Sequence, residues 1–360
     1  MSPITEQMQV LVVGAGPTGL TAAIELARRG VVPDVIDRKD AASTLSRAVG
    51  ILPSSLATLT PSGVTRRLLA EGAKIQELRL YRAACRLLCL SLRGGHPEWD
   101  FVVALAQDRT EAALRDALVR YGGSVRYGTE LVGLRETDDQ VAVQYLDGGE
   151  AAYDYVIGAD GTHSATRNAM GIEFPGFDLP ESWSIADVDA AGWPNPRSLT
   201  LCALEHGRVV FVAPLASDRY RVVSNTDDAL AALPLEMEVI RKRREGQFQI
   251  AIRQVREYRR GRVLLAGDAA HCHSPAGGRG MNLGIADAAE LAERIVENRL
   301  DGYSDSRRAA GARTIAESEQ MRRLFTSTGF VTKRLVFAGA RLTNALRPLQ
   351  RRIASRFLGN

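Results

Sequence analysis

The sequence predicts an α/β fold in which a Rossmann-like domain opens the chain, a mixed-sheet domain interrupts it and helices end it. Three observations predict this fold. The apolar run Val10–Val13 precedes a glycine-rich turn and a helical pattern, as in a βαβ unit. Short β-like runs alternate with Pro, Gly and Asp turns over residues 177–225, and helical patterns dominate residues 301–360. At about 150 residues per domain, a chain of 360 residues accommodates about two domains.

The βαβ unit occupies residues 9–40. A continuous apolar run such as Val10–Val13 is typical of a strand buried on both faces of a parallel sheet. The helix is expected over residues 20–29, with Gly30 as its C-terminal cap, and the second strand over residues 35–37. These elements place a glycine-rich turn between the end of a strand and the start of a helix.

That turn reads Gly14-x-Gly16-x-x-Gly19, the spacing of a dinucleotide-binding fingerprint. Gly14 allows the tight turn, Gly16 lets a pyrophosphate approach the backbone, and Gly19 lets the helix pack closely on the strand. The helix N-terminus would supply N–H donors to the phosphates. Asp37, at the end of the second strand, would accept hydrogen bonds from ribose hydroxyls. The alternative is an ordinary glycine turn, which this context disfavours.

The middle of the chain reads as mixed α/β structure. A helix is expected over residues 110–121. Strands are expected over residues 125–127, 130–135, 141–145, 153–157, 184–188, 199–204, 209–212, 220–224 and 262–266. A hairpin turn is expected at residues 138–139, and Ser164 is placed to cap a helix. From the residues alone, the acid in Asp160-Gly161 is interpreted as a turn residue.

The third motif begins where a buried strand ends in Gly267-Asp268. A loop that contains Pro275 and three glycines follows, and it leads into a helix expected over residues 283–298. Such a loop lets a flat ligand lie against the backbone. The positive end of the helix, near residues 281–282, suits a ring system that becomes negative on reduction.

Composition excludes several classes of protein. The net charge is +4, but seven basic residues and no acid lie from Lys333 onward, so the basicity belongs to the C-terminal tail. The sequence therefore gives no sign of a basic nucleic-acid-binding face on the body of the protein. No apolar stretch reaches the ~18 residues of a membrane span, and the N-terminus lacks a signal-peptide pattern.

The thiols and histidines predict neither a disulfide framework nor a metal site. The four cysteines, of which only Cys85 and Cys89 are close in sequence, are expected to be reduced in a cytoplasmic protein. The pair His271-x-His273 lacks a nearby third ligand, so no metal is expected.

Taken together and in this order, the three motifs identify a resemblance. Over about residues 8–300 the chain resembles the group A flavoprotein monooxygenases, the para-hydroxybenzoate hydroxylase-like hydroxylases of aromatic and polyketide compounds. The resemblance implies a Rossmann-like FAD-binding domain of the glutathione-reductase type, discontinuous over residues 1–75, 104–176 and 261–300. It also implies a substrate domain over residues 76–103 and 177–260 and a C-terminal helical segment over residues 301–360.

The resemblance assigns residues to FAD. Those assigned to the pyrophosphate are Gly14, Gly16, Pro17, Thr18 and Gly19. Those assigned to the adenosine, the ribityl chain and its phosphates are Asp37, Arg38, Arg47, Gln107 and Asp268, with Asp160 implicated in both FAD and NAD(P)H binding. Those assigned to the isoalloxazine are Pro275, Gly278, Gly280, Met281 and Asn282, with the N–H groups of Gly280 and Met281 near flavin O2.

The family chemistry implies that NAD(P)H reduces the flavin, that O2 forms a C4a-hydroperoxide, and that one oxygen atom passes to a phenolic, aromatic or polyketide-like molecule. No side chain is assigned a catalytic role. The alternatives are an epoxidase or Baeyer–Villiger-type oxygenase of the same fold, or a flavin-binding partner protein without turnover.

Candidates for the substrate pocket are Trp183, Cys202 and Phe211, although core packing explains them equally well. Arg221 is expected at a solvated surface position. The basic tail has two interpretations. The favoured one is a terminal helix laid over the substrate domain with its arginines in solvent, and the other is peripheral contact with anionic lipid or an acidic partner.

Overall fold

The computed structural model describes residues 8–42, 49–216 and 218–359. Its strands are β1 Val10–Val13, β2 Asp34–Asp37, β3 Gly50–Ile51, β4 Ala73–Ile75, β5 Glu77–Arg82, β6 Cys85–Ser91, β7 Val102–Ala104, β8 Val125–Tyr127, β9 Leu131–Glu136, β10 Val141–Tyr145, β11 Glu150–Tyr153, β12 Tyr155–Gly158, β13 Gly176–Ala191, β14 Ser198–Ala203, β15 Val209–Pro214, β16 Arg219–Ser224, β17 Glu238–Gln254, β18 Arg259–Arg260, β19 Val263–Leu265 and β20 His271–Cys272. Its α-helices are α1 Pro17–Ala27, α2 Pro53–Leu59, α3 Val64–Glu71, α4 Gln107–Arg120, α5 Ala165–Ala169, α6 Gly280–Val296, α7 Tyr303–Thr326, α8 Phe330–Ala345 and α9 Arg347–Leu358.

A mainly parallel six-stranded sheet confirms the predicted α/β class. Its order is β18-β19-β12-β1-β2-β8; β19, β12, β1, β2 and β8 run parallel to one another, and β18 is antiparallel to β19. Every residue of β1 is buried, as its unbroken apolar run requires. Helix α1 packs against α4 and α6, and its Leu20 and Ile24 are fully buried in the core. The glycine turn follows β1 directly, so it lies at the carboxyl edge of the sheet.

The second large sheet has eight strands in the order β20-β17-β13-β16-β15-β14-β5-β6. Its two faces differ. On one, here called the helical face, α7 packs through Ile315 and Phe325, and α8 packs through Phe337 and Ala340. The other, the outer face, is covered by apolar side chains from residues 229–237.

The ends of helix α1 differ from the predicted ends, because the residues that cap the helix set them. Helix α1 begins at Pro17, because proline is favoured in a first turn, and ends at Ala27. Gly30 is therefore not the cap but lies in the following turn, with φ +94°. The hairpin between β9 and β10 and the cap at Ser164 are confirmed.

The sequence predicted no element over residues 238–254, which form the 17-residue strand β17. Residues 238–247 are largely exposed and many of them are charged, so no apolar alternation marks the strand. Charged side chains are typical of sheet edges, where they discourage pairing with another chain. Pairing with β13 along most of its length, rather than local periodicity, makes this segment a strand.

Candidate cofactor and substrate site

The three sequence motifs meet at one edge of the six-stranded sheet. Gly14 adopts φ +105°, and a Cβ atom there would overlap the carbonyl oxygen of Ala159, the residue before Asp160. A Cβ atom on Gly267 would instead overlap the side chain of Thr18. The first motif therefore touches both the second and the third, and sequence order alone could not show this.

The glycines of the first motif fit a dinucleotide. A Cβ atom on Gly19 would overlap the carbonyl oxygen of Gly14, so α1 rests directly on the turn. At Gly16 a Cβ atom would meet nothing within 4 Å, so the backbone there is open to a ligand. Gly16 is also the N-cap of α1 and has no capping side chain, which leaves first-turn N–H groups available to a phosphate. Pro17 begins the helix.

Thr18 has a packing role in the structure. Its side chain lies where a Cβ atom of either Gly267 or Gly284 would be, so it fills the space between the third motif and α6. The predicted pyrophosphate contact of Thr18 would therefore be made by its backbone N–H.

Asp37 lies beside the glycine turn. Its Oδ2 accepts a hydrogen bond from the Ala15 N–H at 2.9 Å, and its Oδ1 accepts one from the Lys39 N–H at 3.0 Å. Each carboxylate oxygen has capacity for a second donor, so a ribose hydroxyl could still be bound. Arg38 is exposed next to it, and Arg47 lies outside the described residues.

Gln107 is the first residue of α4, and its amide donates to the Glu111 carboxylate at 2.8 Å. Burial raises the pKa of Glu111 above its usual range. Glu111, one helical turn further along α4, thus orients the side chain of Gln107, the residue predicted to contact the ribityl chain.

Asp160 organises the turn after β12. Its Oδ2 accepts hydrogen bonds from the N–H and hydroxyl of Thr166 at 3.0 and 3.1 Å, while Ser164 Oγ caps α5 by accepting from the Arg167 N–H at 2.9 Å. The other oxygen, Oδ1, is buried and has no partner among the described residues. Asp160 therefore acts as a turn residue, as predicted from the sequence. Its Oδ1 is an additional hydrogen-bond acceptor next to Gly14.

Behind the third motif lies a buried charge network. Asp287 of α6 is fully buried, and its Oδ2 accepts from the Gly267 N–H at 2.9 Å and lies 2.6 Å from His271 Nε2. Its Oδ1 accepts from Arg307 Nε at 2.7 Å. Burial opposes ionisation of Asp287, but His271, Arg307 and the Gly267 N–H together hold its pKa below the usual range. The network fixes the Gly267 turn and leaves the Asp268 side chain exposed.

Sequence reasoning missed Asp287 and Arg307. Asp287 could have been recognised in the sequence as a single acid on the apolar side of α6. Ile285, Ala288 and Leu291 around it are all fully buried. No local signal marks Arg307, which reaches Asp287 from the next helix. His271 thus has a structural partner, and the described residues contain no metal-binding cluster.

The flavin loop, defined as residues 275–280, is fastened by Asn282. The Asn282 Nδ2 donates to the carbonyls of Gly50 and Gly278, each at 2.9 Å, and its Oδ1 accepts from Leu52 N–H and Ser55 Oγ at 2.8 Å. These four bonds use the whole amide, so the predicted cofactor role of Asn282 is confined to its backbone. Met281 is likewise buried in the core.

The flavin loop also contacts the C-terminal helices. Arg279 pairs with Glu317 at 2.9 Å, which places the loop beside α7, the helix that packs on the eight-stranded sheet. Gly278 adopts φ +62°, and Gly280 begins α6 without a capping side chain at Arg279. Pro275 and Gly278 are exposed, so the loop presents backbone rather than side chains.

Strand registers place Phe211 and Trp183 on the helical face. Phe211 is opposite Val223, and Val223 is opposite Ile185, two residues from Trp183. Cys202 is opposite Val210 on the outer face and is fully buried there. Cys202 therefore lies on the opposite face of the sheet from the other two candidates, and the three cannot line one pocket.

The centre of the helical face is incompletely covered. Leu199, Leu201, Phe211 and Val223 are partly exposed there, whereas Val210, Val212 and Val222 on the outer face are fully buried. Arg221 lies on the helical face too, but it is 2% exposed and makes two hydrogen bonds to Asp187, both at 2.7 Å. Its expected solvated position is wrong. Partly exposed apolar side chains therefore lie on this face, with a buried ion pair beside them.

Comparison with known proteins agrees with this site. A family profile described as an FAD binding domain matches residues 7–231 and 226–318. The chain is 30% identical over 390 residues to 6-methylpretetramide 4-monooxygenase from Streptomyces rimosus, covering 99% of this chain and 69% of that protein. It is 32% identical over 337 residues to dialkyldecalin synthase from Streptomyces rugosporus, covering 86% and 71%. The fold matches p-nitrophenol 4-monooxygenase from Pseudomonas putida with a TM-score of 0.87 at 21% identity, covering 98% of each chain.

Proposed function

Because this chain belongs to the FAD-binding domain family, which includes FAD-dependent aromatic and polyketide monooxygenases, we propose that it uses NAD(P)H and O2 to hydroxylate an aromatic, phenolic or polyketide-like small molecule. The observation that carries the proposal is the convergence of three motifs around the open backbone at Gly16. FAD, when bound, supplies hydride acceptance and oxygen activation.

The residues of the chain would bind and orient the cofactor. The turn at Gly14, Gly16 and Gly19 would hold the pyrophosphate, Asp37 the adenosine ribose, and the exposed carboxylate of Asp268 the ribityl chain. The N-terminus of α6 at Gly280 would stabilise negative charge on the reduced ring system, since a helix N-terminus carries a positive partial charge.

The substrate is proposed to lie on the helical face, against Phe211 and Trp183 and next to the flavin loop. An apolar pocket that excludes water would protect the activated oxygen from unproductive loss. In this proposal residues 1–75, 104–176 and 261–300 form the FAD-binding domain, and residues 76–103 and 177–260 the substrate domain.

The test is the absorption spectrum of the purified protein with FAD, followed by anaerobic addition of NADPH or NADH and then by a panel of phenols and polyketides in air. A two-band flavin spectrum, bleaching by a reduced nicotinamide and substrate-stimulated oxygen uptake with little peroxide are expected. Failure to take up FAD would overturn the cofactor site.

The similarity to a dialkyldecalin synthase supports a second candidate, a flavin-binding protein that does not oxygenate its ligand. The same cuvette distinguishes the two. Tight FAD binding without substrate-stimulated NAD(P)H oxidation or oxygen uptake across the panel would favour this second function.

A further inference from the structure

Helix α8 is apolar on two opposite sides. Its inner side packs through Phe337 and Ala340 against Leu80, Leu88 and Leu201 of the eight-stranded sheet. Its outer side presents a second row of large apolar side chains, which we call the outer stripe. The outer stripe comprises Val331, Leu335 and Leu342, which are 68%, 68% and 55% exposed, and it is followed by Leu346, an extended residue just after the helix that is 45% exposed.

The outer stripe is continuous along the helix. Val331, Leu335 and Leu342 are separated by four and seven residues, the spacing that places side chains on one side of an α-helix. Ala338 and Ala345 are also exposed and fall on the same side, so no charged residue interrupts the stripe. A surface helix of a soluble protein normally presents polar residues to solvent, and contiguous exposed apolar patches mark interaction sites.

Basic side chains lie on α8 beside the outer stripe and on the helix that follows it. Arg334 and Arg341 are exposed on α8, and Arg347, Arg351 and Arg352 are exposed on α9. The sequence contains no acidic residue from Lys333 to Asn360. A partner for this region therefore has to accept apolar side chains and, around them, several guanidinium groups.

An anionic lipid surface meets both requirements. Amphipathic helices bind in the plane of a membrane when an apolar row enters the acyl boundary and arginines reach the phosphates. A second copy of the same surface would bring like charges together without acids to pair them. No described helix is long and apolar enough to cross a membrane, so the contact would be at the surface.

We propose that the outer stripe and its arginines dock the protein onto anionic phospholipid bilayers. Docking would place the neighbouring helical face of the sheet close to apolar compounds dissolved in lipid. The inference does not depend on the proposed oxidation, because binding to vesicles is measured without turnover.

The experiment is co-sedimentation of the full chain with vesicles of phosphatidylcholine alone or mixed with phosphatidylglycerol, at low and high salt. Binding to the anionic vesicles, little binding to phosphatidylcholine and release by salt are expected. The double substitution Leu335→Ser and Leu342→Ser should weaken the partition coefficient by about tenfold or more, since each leucine loses its apolar burial. Arg341→Gln with Arg351→Gln should weaken it mainly at low salt.

Leu146→Ser is the matched control, because Leu146 is 67% exposed on a turn far from α8 in sequence. It should leave vesicle binding unchanged. All variants alter exposed side chains, so circular dichroism, thermal midpoint and flavin content should match the parent protein. Absence of binding to anionic vesicles, or equal binding by the serine double variant, would overturn the proposal. A concentration-dependent dimer that this variant abolishes would instead assign the outer stripe to a second copy.

Discussion

Two glycines of one turn are expected to respond differently to the same substitution. Gly19→Ala places a Cβ atom against the Gly14 carbonyl oxygen, so both folding stability and FAD binding should fall. Gly16→Ala places its Cβ atom in open space at an ordinary φ of −77°, so stability should be nearly unchanged. If the pyrophosphate approaches Gly16, FAD affinity should still fall, by about tenfold or more.

Thermal midpoints of the apoproteins and FAD titrations separate these effects. Unchanged FAD affinity in Gly16→Ala would contradict the pyrophosphate assignment, whatever happens at Gly19.

Asp287 is expected to be the most sensitive single carboxylate of the described site. Asp287→Asn should lower the free energy of unfolding by about 3–5 kcal/mol, because it leaves Arg307 buried beside a neutral amide. Urea denaturation at neutral pH measures this. Glu290→Gln, at a partly exposed partner of the same arginine, should cost clearly less.

The same residue predicts a pH dependence. The folded pKa of Asp287 lies below its unfolded value, so the charged carboxylate stabilises the fold above the unfolded pKa of about 4. That contribution is lost as the pH falls through the folded pKa. Asp287→Asn should therefore lose less stability on acidification below about pH 4 than the parent protein. If the parent protein and Asp287→Asn lost the same amount of stability on acidification, an ionised Asp287 in the folded protein would be contradicted.

At the scale of elements, the short helix α5 depends on its cap. Ser164 is fully buried and its Oγ accepts from the Arg167 N–H at 2.9 Å, so Ser164→Ala should cost about 1 kcal/mol of stability. Ser54→Ala, at an exposed position inside α2, should be nearly neutral. Denaturant midpoints of both variants check this. Equal denaturant midpoints for Ser164→Ala and Ser54→Ala would show that the Ser164 cap does not contribute to stability.

Elements also differ in how they fasten the flavin loop. Asn282 ties the start of α6 to β3 and α2, and Arg279 ties the loop to α7. The first tie is buried and uses four hydrogen bonds, whereas the second is a partly exposed ion pair of the kind that contributes little in water. Both ties act near the start of α6, at Gly278 and at Arg279.

At the scale of the whole molecule, the two faces of the eight-stranded sheet are expected to serve different purposes: the outer face contributes to stability and the helical face to substrate binding. Phe211 and Val212 are adjacent in sequence but lie on opposite faces. Phe211→Ala, on the partly open helical face, should weaken substrate-stimulated NAD(P)H oxidation and change stability modestly. Val212→Ala, fully buried on the outer face, should cost about 2 kcal/mol and leave substrate affinity unchanged.

Substrate titrations followed by NAD(P)H oxidation, together with urea denaturation, measure both variants. Equal effects of the two substitutions on substrate affinity would place the substrate away from the helical face.

The amino-acid sequence by itself determined the βαβ unit, the order of the three motifs and the family. These features depend on local rules. An apolar run specifies a buried strand, a glycine is needed where φ is positive or another backbone approaches, and a serine before a helix caps it. Gly14, Gly19 and Ser164 were recognisable for this reason.

The tertiary structure alone decided which residues share a face and which charges meet. It placed Cys202 on the outer face, buried Arg221 against Asp187, joined Asp287 to Arg307 and left the outer stripe of α8 uncovered. Strand register and helix docking are set by contacts between residues far apart in the chain. A side chain's environment there depends on which segment packs against it, and its own neighbours in sequence do not carry that information.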